Sequence, residues 1–300
     1  MSLPIPNSHS NFRSTSRSEF LHARGLRHHL RRWGAPDRPI LFLGHGYLDV
    51  SATFEPLVAA LMAQTDGRWQ VIAQDWRGFG HTEWPQDGYW FQDYVADLEA
   101  IVDHYSATAP LTLIGHSMGA QIVSLYAGLR PARVEKLLLL DAVTLPDMPS
   151  ERAPKRFRHW LDQLREPLSE RSYPSLEFLA ERVRLQHPQL NPEHARFVAR
   201  CWSREDGRGR ITLCADPKHR RHGPGLYHAA DSNAVWREIT ADTIFIDAGR
   251  SQLTIPPEQR AARAECFRRH RVEVIADAGH MLHFDAPAET AARIAAFLAS

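Results

Sequence analysis

Residues 111–120 read LTLIGHSMGA. An apolar, partly β-branched run enters Gly115-His116-Ser117-Met118-Gly119, and the following AQIVSLYAGL repeats apolar residues at helical spacing. A strand that ends in G-x-S-x-G and passes straight into a helix describes a strained turn with a serine at its apex. The two glycines let strand and helix approach closely while the hydroxyl projects above a sheet. The free N–H groups at the helix start point toward any negative charge that develops there. Ser117 is the candidate nucleophile on these grounds.

Working outward, five further apolar runs share the character of residues 111–116: PILFLGH (39–45), WQVIAQD (69–75), VEKLLLLDA (134–142), TIFIDA (243–248) and VEVIADA (272–278). Helical patterns lie between or after them at 53–64, 89–106, 118–129, 257–269 and 287–299. Continuous apolar strands alternating with helices predict an α/β fold with a doubly wound, mostly parallel sheet. SEFLHARGLRHHLRRWG (18–34) reads as a preceding hairpin with its turn near Gly25. The alternation breaks between Leu145 and Asp231, where helices are expected near 151–165, 175–186 and 191–203 and no strand is evident. The expected organisation is a flexible tail over 1–17, a core formed by 18–144 and 232–300, and a helical cap over 145–231.

A chain of 300 residues with 43% apolar content can bury a substantial core. A formal net charge of +1 argues neither for nucleic acid nor for a strongly anionic membrane partner, and no nucleic acid is expected. Cys201, Cys214 and Cys266 form no short-spaced pair, so they read as reduced thiols in a cytoplasmic protein. No apolar run approaches the length of a membrane span, and the N-terminal stretch has no hydrophobic signal core. KHRRH (218–222) lacks an acidic or thiol partner nearby in sequence and reads as a solvated basic loop, with no metal site expected.

Four stretches in order, LGHGY (43–47), DWRGFGHT (75–82), GHSMG (115–119) and DAGHMLHFDAP (277–287), make the chain resemble a serine hydrolase of the α/β-hydrolase superfamily over nearly all its length after residue 20. The HGYLDVSATF and DWRGFG stretches are similar to a bacterial group of capped hydrolases. The resemblance implies a base at His280, on the loop after the last apolar run, with His283 as its neighbouring competitor. It also implies an oxyanion hole from the backbone N–H groups of Met118 and Tyr47. The acid of such a triad falls between nucleophile and histidine in chain order. Relatives commonly carry it just beyond the glycine that ends the strand after the cap, but here Gly249 is followed by Arg250, Ser251 and Gln252. Two candidates remain, Asp141 at the end of LLLLDAV and Asp247 within TIFIDAG, with Asp141 preferred.

A serine at the elbow points to hydrolysis of a carboxylic ester of a small, largely apolar molecule, with no cofactor. Thioester, lactone and carbon–carbon bond hydrolysis use the same groups, and a ligand receptor with little turnover is the reading from another class. His45, Trp76, Trp160 and Trp202 are candidates for the substrate pocket; Phe157, Phe178 and Phe197 could join them, although aromatics at helical spacing more often form cap core. Oligomeric state is not legible.

Overall fold

The computed structural model describes residues 16–142, 145–207, 209–252 and 255–300. Nearly all of the expected tail lies outside them. Strands β1 (Arg17–Ala23) and β2 (Leu26–Trp33) form an antiparallel hairpin. It turns through Arg24 and Gly25, both at positive φ, the conformation that matches the twist of paired strands. There follow β3 (Ile40–Gly44), α1 (Glu55–Gln64), β4 (Gln70–Gln74), α2 (Phe91–Tyr105), β5 (Leu111–His116), α3 (Met118–Leu129) and β6 (Val134–Leu140). The chain then leaves the sheet for α4 (Ala153–Arg165), β7 (Ser172–Tyr173), α5 (Leu176–Gln186), α6 (Pro192–Trp202), β8 (Ser203–Glu205) and β9 (Ile211–Leu213). It returns through α7 (Ala229–Trp236) to β10 (Asp242–Ala248), α8 (Pro257–Ala264), β11 (His270–Ile275), α9 (Leu282–Asp285) and α10 (Pro287–Ala299).

The eight-stranded sheet has the order β1-β2-β4-β3-β5-β6-β10-β11. It is parallel from β4 through β11 and antiparallel only where the hairpin joins it. The central strands are buried on both faces, and the period of two sorts their side chains. Phe42, Leu113, Leu137 and Leu139 enter the core beneath α2, α3 and α7. Leu41, Leu43, Ile114, Leu138 and Leu140 enter the core beneath α1 and α10. That is why LLLL at 137–140 carries no polar break: it feeds two cores at once.

Several elements differ from expectation, α8 among them, which ends at Ala264 rather than near 269. The last strand stops at Ile275 rather than reaching 278, and the residues after it turn to carry DAGH back over the sheet. Residues 145–231 also hold a three-stranded sheet, β7-β9-β8, whose strands of two or three residues are too short for alternation to be read. α5 and α6 start where their caps dictate. Ser175 Oγ accepts from Phe178 N–H at 3.1 Å and Asn191 Oδ1 from His194 N–H at 2.8 Å. Leu179, Val183, Leu190 and Val198 form a third, smaller core with Met281 and Phe284, so this insertion packs directly on the segment that follows His280.

Candidate active site

Ser117 sits between β5 and α3 at φ 51° and ψ −114°, a conformation that costs a non-glycine residue energy and persists only where its surroundings enforce it. The enforcement is visible in the packing. A Cβ added at Gly115 would lie 2.6 Å from the Ala120 backbone, and one at Gly119 would lie 2.2 Å from the Gly44 carbonyl oxygen. The loop after β11 brings His280 to this apex, with Nε2 3.0 Å from Ser117 Oγ. On the far side of the ring, His280 Nδ1 lies 2.6 Å from Asp141 Oδ2. The structure thus brings three of the sequence candidates into one hydrogen-bonded line.

Asp141 follows β6 directly, is almost fully buried, and has φ 39°. Of the five described non-glycine residues at positive φ, Arg24, Leu48 and Asp66 lie in turns, whereas Ser117 and Asp141 belong to this site. The Asp141 carboxylate is held from β10: Oδ1 accepts from Ala248 N–H at 3.1 Å and Oδ2 from the Ser251 hydroxyl at 2.6 Å. Ser251 is one of the residues standing where relatives commonly carry the acid. Asp247 faces elsewhere, pairing with the Arg260 guanidinium on α8. Burial raises the pKa of its carboxyl against the pull of Arg260.

The turn after β3 forms the other wall. Gly46 lies so near that a Cβ there would be 3.2 Å from Ser117 Cβ. Next to it, Tyr47 is half exposed and its hydroxyl donates to the His219 carbonyl at 2.8 Å. Met118 is the first residue of α3, so its N–H has no helical carbonyl to bond. His45 and Trp76 are not in a pocket wall: both are fully buried. His45 Nδ1–H donates to Gly46 O at 2.8 Å, its Nε2 accepts from Trp76 N–H at 3.0 Å, and Trp76 Nε1–H returns to His45 O at 2.8 Å. Together they clamp the ends of β3 and β4. Asp75 does similar work within DWRGFGHT, accepting from Ser51 N–H at 2.7 Å and His81 N–H at 3.0 Å.

Behind His280 lies a second polar cluster that motif reading did not find. His116, fully buried and kept neutral by that burial, donates from Nε2 to the His280 carbonyl at 2.8 Å. The His116 ring also stands 4.7 Å from the His280 ring and 4.8 Å from that of His283. His283 Nε2 lies 3.1 Å from Asp49 Oδ2, and Asp49 Oδ1 accepts from Trp202 Nε1–H at 2.7 Å. Burial raises the Asp49 carboxyl, but its hydrogen bonds with His283 and Trp202 prevail and hold it well below the usual carboxylate range. One donor atom each from Asp49, His116 and His283 lies within 4.8 Å of the others, so this is where a cation would fit by geometry, although the Asp49–His283 contact already pairs two of the three. Trp202, expected in the pocket, is instead the bolt between α6 and the turn after β3. Asp49→Asn is expected to cost about 2 kcal/mol of stability, the scale of a charged hydrogen bond, and to raise KM more than it lowers kcat. Thermal melts and Michaelis profiles of the purified variant check both.

KHRRH is not the solvated loop its composition suggests. The His219 ring stacks between Phe79, centroids 4.0 Å apart, and Tyr89 at 3.6 Å. Burial lowers its pKa to about 3. In the unfolded chain this imidazole takes a proton near pH 6.5, while the folded chain refuses it. The stability it confers is therefore complete above about pH 6.5 and drains away as pH falls toward 3. His219→Phe, which keeps the stack, is expected to flatten the fall of Tm between about pH 7 and 4. An unchanged slope would assign the acid sensitivity to other groups. Trp160, on α4, stands 6.4 Å from the Trp90 ring. A cavity of about 250 Å³ opens not over Ser117 but beneath α3, bounded by Ala120, Leu139, Trp236, Phe245 and the Asp247–Arg260 pair. The Cys214 thiol, pushed up to about 11 by burial, has no place in this chemistry.

Residues 39–287 match the family model described as alpha/beta hydrolase fold. A serine hydrolase-like protein of Danio rerio is 32% identical over 174 residues, 54% of this chain and 51% of that protein. A 2-(acetamidomethylene)succinate hydrolase of Mesorhizobium japonicum is 33% identical over 103 residues, 34% of this chain and 35% of the relative. The chain thus spans about half or less of the length of these curated relatives. Among solved structures, a thioesterase domain from the curacin biosynthetic pathway superposes with a TM-score of 0.83 at 23% identity, covering 93% of this chain and 99% of that one. Among the described residues no helix is long and apolar enough to cross a membrane. With a matching model over most of its length and a parallel sheet carrying the G-x-S-x-G turn at the end of β5, the chain belongs to the α/β-hydrolase fold family.

Proposed function

We propose that this protein is a serine hydrolase that cleaves a carboxylic ester, or a related acyl bond, of a small and largely apolar molecule through an acyl-enzyme. The observation that carries the reading is the line Ser117 Oγ, His280, Asp141, at 3.0 Å and 2.6 Å. In the first half-reaction Ser117 Oγ attacks the acyl carbon while His280 Nε2 takes its proton. Asp141 holds Nδ1–H and stabilises the imidazolium that forms. The carbonyl oxygen becomes an oxyanion beside the N–H groups assigned to Met118 and Tyr47, at the positive end of α3. Collapse breaks the bond to the leaving alcohol, which departs with the proton from His280. Water then repeats the sequence and releases the acid.

Residues 145–231 act in this reading as the cap that selects the acyl group, since they pack on Met281 and Phe284 next to the base and bolt to Asp49 through Trp202. The receptor reading rests on the displaced acid, and a carboxylate 2.6 Å from His280 favours turnover over it. Relatives named as epoxide hydrolases exist at 28% identity, but a serine nucleophile favours acyl transfer. A panel of p-nitrophenyl esters graded by chain length, with thioesters and lactones alongside, tests the proposal. Turnover of none of them by folded protein, together with no reaction with a fluorophosphonate, would overturn it.

A further inference from the structure

Helix α4 is built unlike its neighbours. It is the only α-helix among the described residues that buries no residue, yet its sequence APKRFRHWLDQLR is strongly amphipathic. At 100° per residue, Phe157, Trp160, Leu161 and Leu164 share one arc of about 100°. Phe157 and Leu161 are each 50% exposed, and Leu164, Leu168 and Trp90 are exposed to a similar degree. The helix is fastened by the side adjoining that arc. Arg156 Nε donates to Gly223 O at 2.8 Å, and Gln163 Oε1 accepts from His222 N–H at 3.0 Å. Within the stripe Trp160 is partly covered beside Trp90, while Phe157, Leu161 and Leu164 stay exposed. A contiguous apolar patch of this kind marks a surface with a partner.

Charge identifies the partner. α4 carries Lys155, Arg156, Arg158 and Arg165 against the single acid Asp162, in a chain whose net charge is +1. Arg158 and Arg165 flank the apolar arc on the side away from the attachment. A second copy docked on this face would set like charges against each other. A helix with Trp, Phe and Leu on one face and Lys and Arg beside them has the composition of a helix lying in the headgroup plane of an anionic bilayer. We propose that α4 is an interfacial docking helix that seats this face of the protein on an anionic lipid surface.

The docking helix is coupled to the site. The segment that receives Arg156 and Gln163 also carries His219, whose carbonyl accepts from Tyr47 beside Ser117. Through that segment, seating α4 on lipid would be felt at the turn after β3, and the substrates on offer would be lipid-borne acyl esters. This last step rests on the proposed hydrolase activity, whereas the docking itself does not.

The test is sedimentation of the full chain with vesicles containing about 30% phosphatidylserine, the composition that gives basic segments a surface potential to sense, against vesicles of phosphatidylcholine alone. Wild type is expected to sediment with the anionic vesicles and to be released by salt. Leu161→Ser/Leu164→Ser is expected to bind about tenfold more weakly or worse, and Arg158→Glu/Arg165→Glu to lose the preference for anionic lipid. Both pairs are exposed, and unchanged thermal melts would show that folding is intact. Ser117→Ala should bind vesicles like wild type, which separates failure of docking from failure of the hydrolase reading. Equal binding to both vesicles, none to either, or unaltered binding by the variants would overturn the proposal. So would a dimer that the serine pair dissociates in the absence of vesicle binding, since the stripe would then belong to a second copy.

Discussion

Ser117→Ala is expected to lower kcat by about 10⁶-fold, the scale for removing a nucleophile that acts as a unit with its base, and to abolish covalent labelling by a fluorophosphonate. The effect is large because His280, at 3.0 Å from Oγ, has no other acceptor of its catalytic work on this side of the ring. The fold should be spared. Alanine removes one hydroxyl from a residue whose strained φ of 51° is imposed by the glycine packing around it and not by its side chain. Rates on p-nitrophenyl esters and mass spectrometry of the labelled protein give the result. Labelling that survives in Ser117→Ala would move the nucleophile elsewhere.

Asp141→Asn should lower kcat by about 10⁴, the penalty for presenting an imidazole with an amide in place of a triad carboxylate. Asparagine is the informative replacement, because it tolerates the left-handed backbone at φ 39° almost as well as aspartate does. The loss therefore reports on charge and tautomer rather than on folding. Asp247→Asn is the matched control: its carboxylate pairs with Arg260, not with His280, so kcat should stay within about tenfold of wild type. A further arm is Asp141→Asn/Ser251→Asp, which returns a carboxylate to a position whose hydroxyl lies 2.6 Å from Asp141 Oδ2. It should recover part of the lost turnover. If Asp247→Asn were the crippled variant and Asp141→Asn the mild one, the assignment would pass to Asp247.

The elements that could be read in the sequence are those with a local cause. The apolar runs, the elbow and the segment ending in His280 announce themselves because a buried parallel strand and the turn after it leave consecutive residues as their record. The contest between Asp141 and Asp247 was open for a physical reason. β6 and β10 are adjacent parallel strands, so both aspartates stand at the same sheet edge. Only the third dimension tells which carboxylate turns to the imidazole and which to Arg260. Other features were misread because composition averages over space. A net charge of +1 hides the basic face of α4, and the three cations and two histidines of KHRRH hide a stacked, neutral His219. Trp76 and Trp202 looked like pocket lining because an indole is ambiguous until its N–H finds a partner, here His45 O and Asp49. Expectations that fall on residues 1–15 lie outside the described chain.

The hydrogen bond from Ser251 to Asp141 also bears on how such sites change over time. Two strands now share custody of one negative charge, one supplying the carboxylate and the other a hydroxyl that touches it. A lineage can therefore relocate the acid from β6 to β10 in two single steps, through an intermediate in which both positions are acidic and mutual repulsion leaves one of them protonated. No step along that path requires an imidazole without an anion beside it. The acid can then pass from one strand to the other, at the cost in turnover that Asp141→Asn/Ser251→Asp would show, while Ser117 keeps its place.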